Sequence, residues 1–203
     1  MRLGRSAAGA SPADWLVVGL GNPGSQYAAT RHNIGFEVAN VLAARWQLPR
    51  AKRKFGALVT DGRTPGPTHP RPRVAVLLPQ TYMNESGRAV GPARGAYRVP
   101  LERVLVLHDE IDLPFGDIRA RIGGGLAGHN GLKSLKRELG SPDFARVRIG
   151  VDRPPTTDPE RVAGYVLGRF SEPRADVEDL IARAADIAER IVLGEIEPEA
   201  RRA

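Results

Sequence analysis

Three of the four histidines stand directly beside a residue with an amide or carboxylate side chain. The three pairs are His32-Asn33, His108-Asp109 and His129-Asn130. A neutral imidazole can accept a proton near pH 7, a carboxylate can orient it and stabilise its protonated form, and amides can hold a substrate. We therefore expect these histidines to converge on one cleft that carries out hydrolysis. His69, the fourth, lies in a proline-rich segment.

The sequence offers no obvious carrier for a covalent acyl intermediate. It contains no cysteine and no Gly-x-Ser-x-Gly nucleophile motif, so direct attack by an activated water molecule is the simpler prediction. A metal-dependent hydrolase stays an alternative, because imidazole and carboxylate groups are both acceptable metal ligands. The residues concerned are His32, His108, Asp109 and His129, whose spacing matches no local metal motif.

Two glycine clusters resemble nucleotide-binding loops only in part. Gly19, Gly21 and Gly24 follow an apolar run and match the dinucleotide pattern, but Pro23 interrupts it and no acidic residue ends a second strand about 20 positions later. The second cluster, residues 123–131, lacks the Gly-Lys-Ser/Thr of a phosphate-binding loop. We expect tight turns, or a close approach of backbone to a bulky ligand, rather than a dinucleotide site.

Basic residues are concentrated in the segment between positions 119 and 148. Seven of them stand there against two acidic residues, and they are Arg119, Arg121, Lys133, Lys136, Arg137, Arg146 and Arg148. The whole chain has a formal charge of +7, which favours an anionic partner such as a phosphate backbone. The segment therefore predicts phosphate contacts. A solvated basic face and a non-catalytic RNA-binding protein are the alternatives.

Apolar patterning predicts a single α/β domain. Short apolar or alternating runs predict strands over residues 15–20, 55–60, 73–78, 104–107, 117–122 and 147–151. Helical spacing predicts helices over about 34–46, 84–97, 131–139 and 173–191, with Asn33 and Asn84 as caps. Strands that alternate with helices indicate an α/β sheet. Asp109 would then lie at the carboxyl end of a strand.

The length and composition indicate one domain, which we place over residues 15–194 and expect to be catalytic. We expect a flexible N-terminal extension over 1–14 and a flexible tail over 195–203. Residues 1–14 lack the apolar core of a signal peptide, and no run of about 18 apolar residues suggests a membrane span. These features predict a soluble, cytoplasmic protein.

Six segments, taken in order, resemble the bacterial peptidyl-tRNA hydrolase family. They are GLGNPG from Gly19, TRHNIGF from Thr30, PQTYMNESG from Pro79, HDEIDLPFG from His108, GHNGLKS from Gly128 and RVRIGV from Arg146. The resemblance covers about residues 15–194. It implies a monomer with a mixed twisted sheet flanked by helices, no metal or organic cofactor, and no membrane or obligate protein partner.

The resemblance also implies a reaction and the residues that perform it. Water would cleave the ester between a peptide, or an N-blocked aminoacyl group, and the 3′-terminal ribose of tRNA, so that tRNA from prematurely released peptidyl-tRNA is recycled. His32 would be the general base, Asp109 the carboxylate that orients it, and Asn22 the residue that distinguishes blocked from free aminoacyl groups.

Further residues fall at substrate positions of the family. Asn84 and Asn130 would contact the substrate, Tyr27 and Tyr82 the tRNA, and Met83 would line a peptide channel. The sequence departs from the usual pattern at three places. Leu126 and Ala127 stand where a polar or charged residue and a glycine are more familiar, and Asp152 replaces a common glycine.

Overall fold

The computed structural model describes residues 10–67 and 70–200, and within these ranges it has seven strands and five α-helices. The strands are β1 (Trp15–Gly19), β2 (Lys52–Lys54), β3 (Ala57–Arg63), β4 (Arg73–Pro79), β5 (Val104–Glu110), β6 (Ile118–Ile122) and β7 (Ala145–Gly150). The helices are α1 (Ile34–Arg45), α2 (Gly87–Tyr97), α3 (Asn130–Leu139), α4 (Pro159–Val166) and α5 (Arg174–Val192). Residues 1–9 of the predicted extension, and His69, lie outside the described residues.

The strands form one mixed sheet in the order β2-β3-β4-β1-β5-β7-β6. The pairs β1/β4, β1/β5 and β5/β7 are parallel, whereas β2/β3, β3/β4 and β6/β7 are antiparallel. The chain passes from β1 to β4 on one side and later to β5 on the other, so β1 is the point where the strand order reverses. Ligands of open α/β sheets bind beyond the carboxyl ends of the strands at such a point.

Helices cover both faces of the central strands, which explains why these strands read as continuous apolar runs. Successive residues of β1 alternate between two cores: Trp15 and Val17 pack with α1 and α5, while Leu16 and Val18 pack with α2 and α3. The predicted alternation in β6 is confirmed, because Ile118, Ala120 and Ile122 pack against the first of these cores. The mixed α/β sheet flanked by helices is therefore confirmed.

Two elements escaped prediction, and one predicted helix begins later than expected. Strand β2 consists of three exposed basic residues, and α4 is a short helix with one buried residue, Val166. Helix α2 begins at Gly87, because Asn84 belongs to a preceding 3-10 helix, Met83–Glu85, instead of capping α2. Within the described part of the chain, no helix is long and apolar enough to cross a lipid bilayer.

Next to both termini, backbone hydrogen bonds join the chain to α2, β4 and β6. The amides of Ala13 and Asp14 donate to the carbonyls of Tyr97 and Arg73, at 3.0 and 2.7 Å. Near the other end, the Glu199 amide donates to the Ala120 carbonyl, and the Glu199 carbonyl accepts from the Ile122 amide, at 3.1 and 2.9 Å. This pairing covers part of the outer edge of β6.

Candidate active site

An open cleft of about 770 Å³ lies beyond the carboxyl ends of β1, β4 and β5. Its lining comes from the loop after β1, the 3-10 helices at Arg31–Asn33 and Met83–Glu85, the end of β5, the start of α3, and α4. His32 and Asp109 lie on this lining together with Asn22. The topology thus brings together groups that are far apart in the sequence.

The short distance between α1 and the sheet fixes the position of His32. Gly35, in the first turn of α1, lies so close to β5 that a β-carbon there would come within 2.2 Å of the Leu107 carbonyl oxygen and 2.6 Å of that of Leu20. Only glycine fits this approach. It places His32, three residues earlier, beside Asp109, two residues after Leu107.

His32 and Asp109 form a hydrogen-bonded pair in a largely buried position. The His32 Nδ1 atom lies 2.9 and 3.0 Å from the two carboxylate oxygens of Asp109, and 10% of the His32 side chain is exposed. An ionised carboxylate only accepts hydrogen bonds, so Nδ1 carries the proton and Nε2 keeps a lone pair. That lone pair can accept a proton from water.

A second histidine also donates to Asp109. The His129 Nε2 atom lies 3.0 Å from Asp109 Oδ1, while His129 Nδ1 accepts from the amides of Gly131 and Leu132, at 3.1 and 3.4 Å, at the start of α3. Because these amides can only donate, His129 must carry its proton on Nε2. The tautomer of His129 is therefore fixed by the backbone.

The charges of this cluster shift the pKa values in the direction that proton abstraction requires. Burial raises the pKa of Asp109, but the His32 and His129 rings and their hydrogen bonds outweigh that effect and bring it well below its usual range. Burial lowers the pKa of His32, yet the charge of Asp109 and its hydrogen bond raise it above the ordinary value. Asp109 is thus an anion, and it increases the basicity of His32.

Asn22 is held in place from both sides. Its backbone amide donates to Asn33 Oδ1 and its carbonyl accepts from Asn33 Nδ2, both at 2.9 Å. The side-chain oxygen of Asn22 accepts from the Met83 amide at 2.8 Å, which leaves the Nδ2 group as the hydrogen-bond donor at the cleft. Asn33 therefore occupies the predicted capping position, but its side chain fixes the Asn22 loop instead of capping α1.

The other predicted substrate residues also reach the cleft. The lining includes Tyr27, Tyr82, Met83, Asn84 and Asn130. Tyr82 is 60% exposed and Met83 only 4%, so the tyrosine ring stands at the rim while the thioether belongs to the floor.

The predicted basic residues divide into surface and interior groups. Arg119, Lys133, Lys136 and Arg137 are exposed, and Lys133 borders the cleft. In the register of β6 and β7, Arg119 lies opposite Arg148 and Arg121 opposite Arg146, so the arginines of the two strands share one face. Like charges directly opposite each other repel, and a bound anion would relieve that repulsion.

Arg146 corrects the prediction of seven surface contacts, because its side chain is fully buried. Its Nη1 donates to the Gly125 carbonyl at 2.9 Å, and burial, together with the charges of Arg121 and Arg148, lowers the pKa of Arg146 to about 10. Arg148 is half-buried, with Nε 2.9 Å from Glu110 Oε2. Arg146 thus supports the glycine-rich loop from beneath, and Arg121 and Arg148 remain nearer the surface.

His108 does not join the other two histidines at the cleft. Its ring is fully buried, donates from Nδ1 to the Asp109 carbonyl at 2.7 Å, and packs edge-on against the His129 ring from outside the cleft lining, with 5.1 Å between the ring centres. Burial holds the pKa of His108 well below its usual value. A cation-binding set would therefore consist of His32, Asp109 and His129, whose ligand atoms lie within 4.8 Å of one another. In this structure each of the two histidines uses its ligand nitrogen to hydrogen-bond Asp109.

Two features of the site were not assigned from the sequence. His129 was grouped with the other histidines, but its bond to Asp109 and its fixed tautomer depend on the start of α3, which the pattern could not place relative to β5. The apolar wall of the cleft comes from α4, where Val162, Ala163, Val166 and Leu167 line it. The pair Asp158-Pro159, an N-cap followed by proline at the first helical position, is a sequence signal from which this helix could have been predicted.

A doubly covered α/β sheet, with a histidine–carboxylate pair in a cleft at its switch point, has the groups that an enzyme needs for proton-transfer catalysis. The family model described as peptidyl-tRNA hydrolase matches residues 16–203. The peptidyl-tRNA hydrolase of Mycobacterium avium (strain 104) is 50% identical over 190 residues, which cover 92% of this chain and 95% of that protein. That of Mycobacterium tuberculosis (strain ATCC 25177 / H37Ra) is 47% identical with the same coverage.

Solved structures agree with the sequence comparison. The crystal structure of peptidyl-tRNA hydrolase from Acinetobacter baumannii matches with a TM-score of 0.77 and 39% identity, covering 92% of this chain and 93% of that one. The chain belongs to the peptidyl-tRNA hydrolase family. It is a hydrolase that acts on the ester bond of peptidyl-tRNA.

Proposed function

We propose that His32 is the general base of this hydrolysis, that Asp109 orients and stabilises it, and that Asn22 binds the acyl group next to the scissile ester. The observation that carries the proposal is the hydrogen bond from His32 Nδ1 to Asp109, which leaves Nε2 free to accept a proton at the cleft. General-base assistance of this kind typically contributes about 10²- to 10⁴-fold in rate.

The reaction follows from the groups present. Nε2 of His32 takes a proton from water as the water oxygen bonds to the ester carbonyl carbon. Asp109 stabilises the imidazolium that forms. When the tetrahedral intermediate collapses, the bond to the ribose oxygen breaks and the imidazolium returns its proton to that oxygen. The products are the free peptide acid and tRNA with its terminal hydroxyl, and no covalent enzyme intermediate is required.

Asn22 is suited to bind the acyl group because its orientation is fixed before the substrate arrives. Its Oδ1 is engaged by the Met83 amide, so its Nδ2 group can donate to a carbonyl of the substrate. Such a donor favours an acyl group that carries an amide carbonyl next to the esterified residue over an acyl group with a charged free amine. This preference would exclude aminoacyl-tRNA needed for translation.

The flanks of the cleft suit the two ends of peptidyl-tRNA. Tyr82, exposed at the rim, offers a face for stacking of a terminal base, worth about 1–3 kcal/mol. Tyr27, Asn84 and Asn130 supply further contacts in the lining. The exposed basic residues of β6 and α3, with Arg148, would bind the phosphate backbone, and Met83 would contact the peptide. We propose that the protein acts as a cytoplasmic monomer without cofactor or obligate partner.

The first test measures release of the acyl group from N-acetyl-aminoacyl-tRNA and from the same tRNA with a free aminoacyl group. Wild type should cleave only the blocked substrate, and His32→Ala should be slower by about 10²- to 10⁴-fold because the base is missing. His32→Asn, which keeps a polar side chain of smaller size, should be equally slow. The thermal unfolding midpoint of each variant shows whether the fold is retained.

The same assay discriminates the alternatives. Chelator-resistant turnover excludes a dissociable metal at His32, Asp109 and His129. Normal tRNA binding without turnover by wild type would instead support a non-catalytic RNA-binding protein. Activity of a folded His32→Ala variant close to that of wild type would reject His32 as the base.

A further inference from the structure

Arg31 precedes the proposed base and binds a segment that lies more than 130 residues further along the chain. Its Nη1 donates to the Arg169 carbonyl at 2.6 Å, and its Nη2 contacts Ser171 Oγ and Glu172 Oε2, each at 3.2 Å. Only 6% of its side chain is exposed. A buried guanidinium is retained where its donors meet fixed acceptors, so Arg31 belongs to the interior framework of the molecule.

Aromatic rings and backbone bonds reinforce this connection. The Arg31 guanidinium lies 4.2 Å from the centre of the Tyr165 ring and 5.2 Å from that of Phe170. The Arg31 amide donates to the Gly168 carbonyl at 3.1 Å. Tyr165 in turn donates from its hydroxyl to the Val151 carbonyl at 2.7 Å. The carboxyl end of α4 is therefore attached both to the 3-10 helix that carries His32 and to the end of β7.

The attached helix supplies the apolar wall of the cleft. Val162, Val166 and Leu167 line the cavity, and Leu167 is 41% exposed. Helix α4 has eight residues, and a helix of this length is marginal without tertiary contacts. The position of α4 relative to His32 therefore depends on tertiary contacts. Arg31 supplies such contacts, because it precedes His32 in the chain and its guanidinium lies against Tyr165 of α4.

We propose that Arg31 is a positioning residue that holds the α4 wall beside His32, so that apolar side chains of the peptide contribute to the binding of peptidyl-tRNA. This inference rests on the proposed function of the cleft. It assigns Arg31 no contact with the reacting atoms. The substrate class that it favours is peptidyl-tRNA whose peptide carries apolar residues before the esterified one.

The test compares two substrates that share the tRNA and the esterified glycine, N-acetyl-glycyl-tRNA and N-acetyl-leucyl-leucyl-glycyl-tRNA. Wild type should show a higher kcat/KM for the longer substrate. Arg31→Lys keeps the positive charge but loses the planar fork and the stacking. Arg31→Lys should reduce the ratio of kcat/KM for the longer substrate to kcat/KM for the shorter one by about tenfold, since loss of apolar pocket contacts has effects of that order. The change should come mainly from a higher KM for the longer substrate. The pH midpoint of kcat should stay unchanged, because Asp109 still faces His32.

A control arginine is available at the far end of α1. Arg45, the last residue of α1, connects this helix to α5 through Asp186 at 2.6 Å and the Ala182 carbonyl at 3.4 Å, away from the cleft. Arg45→Lys should leave the ratio of the two substrates as in wild type. Tyr165→Leu should lower that ratio as Arg31→Lys does, and the double variant should be no worse than either single one, because both changes release the same wall.

The outcomes separate the inference from the proposed function. Equal loss on both substrates in Arg31→Lys, no loss on either, or no preference of wild type for the longer substrate would overturn the positioning role. Failure of wild type to cleave either substrate would instead contradict the proposed function itself.

Discussion

Asp109→Asn replaces one carboxylate oxygen by an amide nitrogen and leaves the size of the side chain almost unchanged. The consequence depends on His129, whose Nδ1 accepts from the Gly131 and Leu132 amides and whose Nε2 must therefore donate. The single side-chain oxygen of the introduced asparagine would accept from His129. Its amide nitrogen would then take the place of Oδ2, 3.0 Å from His32 Nδ1. The N–H groups of this nitrogen favour the tautomer in which Nδ1 accepts, in competition with the 2.9 Å contact between Nδ1 and the remaining oxygen.

This arrangement would leave His32 in the wrong tautomer. With Nδ1 accepting, the neutral ring carries its proton on Nε2 and has no lone pair at the cleft. The stabilisation of the imidazolium by the carboxylate charge is lost at the same time. We expect turnover to fall on the order of 10²- to 10⁴-fold, the range attributed to general-base assistance. A comparable Asp-to-Asn change in a serine protease triad costs about 10⁴-fold for the same reason.

The assay is single-turnover cleavage of N-acetyl-aminoacyl-tRNA as a function of pH. In wild type the rate should rise with pH as His32 loses its proton, with a midpoint above the usual range of histidine because the charge and hydrogen bond of Asp109 raise the pKa of His32. In Asp109→Asn the charge that raises this pKa is absent. The midpoint of the residual activity should therefore lie at lower pH than in wild type.

A second substitution tests the tautomer argument directly. Asparagine is a good N-cap, so the side chain introduced by His129→Asn can still accept from the amides at the start of α3. The hydrogen bond from the His129 ring to residue 109 is lost. In the double variant the asparagine introduced at position 109 can turn its oxygen toward His32 Nδ1, and we expect about tenfold recovery over Asp109→Asn alone. A double variant slower than the single one, or an Asp109→Asn enzyme within tenfold of wild type, would refute the reasoning.

Two further predictions concern the loop and the basic face. Ala127 has φ +47°, a conformation that costs an L-residue about 1–2 kcal/mol, so Ala127→Gly should raise the free energy of unfolding by roughly 0.5–1 kcal/mol after the entropy of the unfolded glycine is subtracted. In denaturant titrations the control Ala182→Gly, in the regular helix α5, should instead lower the free energy of unfolding. A loss of stability in Ala127→Gly would contradict the argument. Arg121→Glu should weaken tRNA binding and lower the slope of log K against log salt by about 1. Arg53→Glu, on the opposite edge strand β2, should change the slope much less, and equal slopes in all three proteins would exclude Arg121 from the contact surface.

The central strands could be predicted from the sequence because burial on both faces makes them continuous apolar runs. The edges of the fold could not. Strand β2 has no apolar residue, and its pairing with β3 is a property of the hairpin rather than of a pattern along the strand. Helix α4 is only eight residues long and mostly exposed, so its apolar positions are too few to show a helical period.

For the site, residue types were predictable but orientation was not. His108 and His129 are both histidines beside polar residues, yet His108 is fully buried and donates to a backbone carbonyl, whereas His129 donates to the Asp109 side chain. The difference arises because side chains alternate along a strand, whereas His129 stands at a helix start whose position depends on tertiary packing. Likewise Arg146 and Arg148 look equivalent in sequence, and only the packing of the glycine-rich loop over Arg146 makes it a buried support.

The backbone conformation explains why glycine is expected at two of the positions where this chain departs from the family pattern. Ala127 and Asp152 stand where the resemblance to the family implied glycines, and both adopt positive φ, +47° and +64°. Aspartate tolerates this region better than alanine does. The glycine preference at these positions therefore follows from backbone conformation, and the loop keeps its shape here at a conformational cost.

The parallel pairs of β1 with β4 and β5 affect how an active molecule is formed. Asn22, His32, Met83, Asp109 and His129 come from separate stretches of the chain, and they meet only after β1 has paired on both sides. Parallel strands require long crossovers, and such non-local contacts form slowly during folding. Helical structure can return early in refolding, whereas ester cleavage needs the central sheet complete. Activity is therefore a stricter measure of native structure in this protein than its helix content.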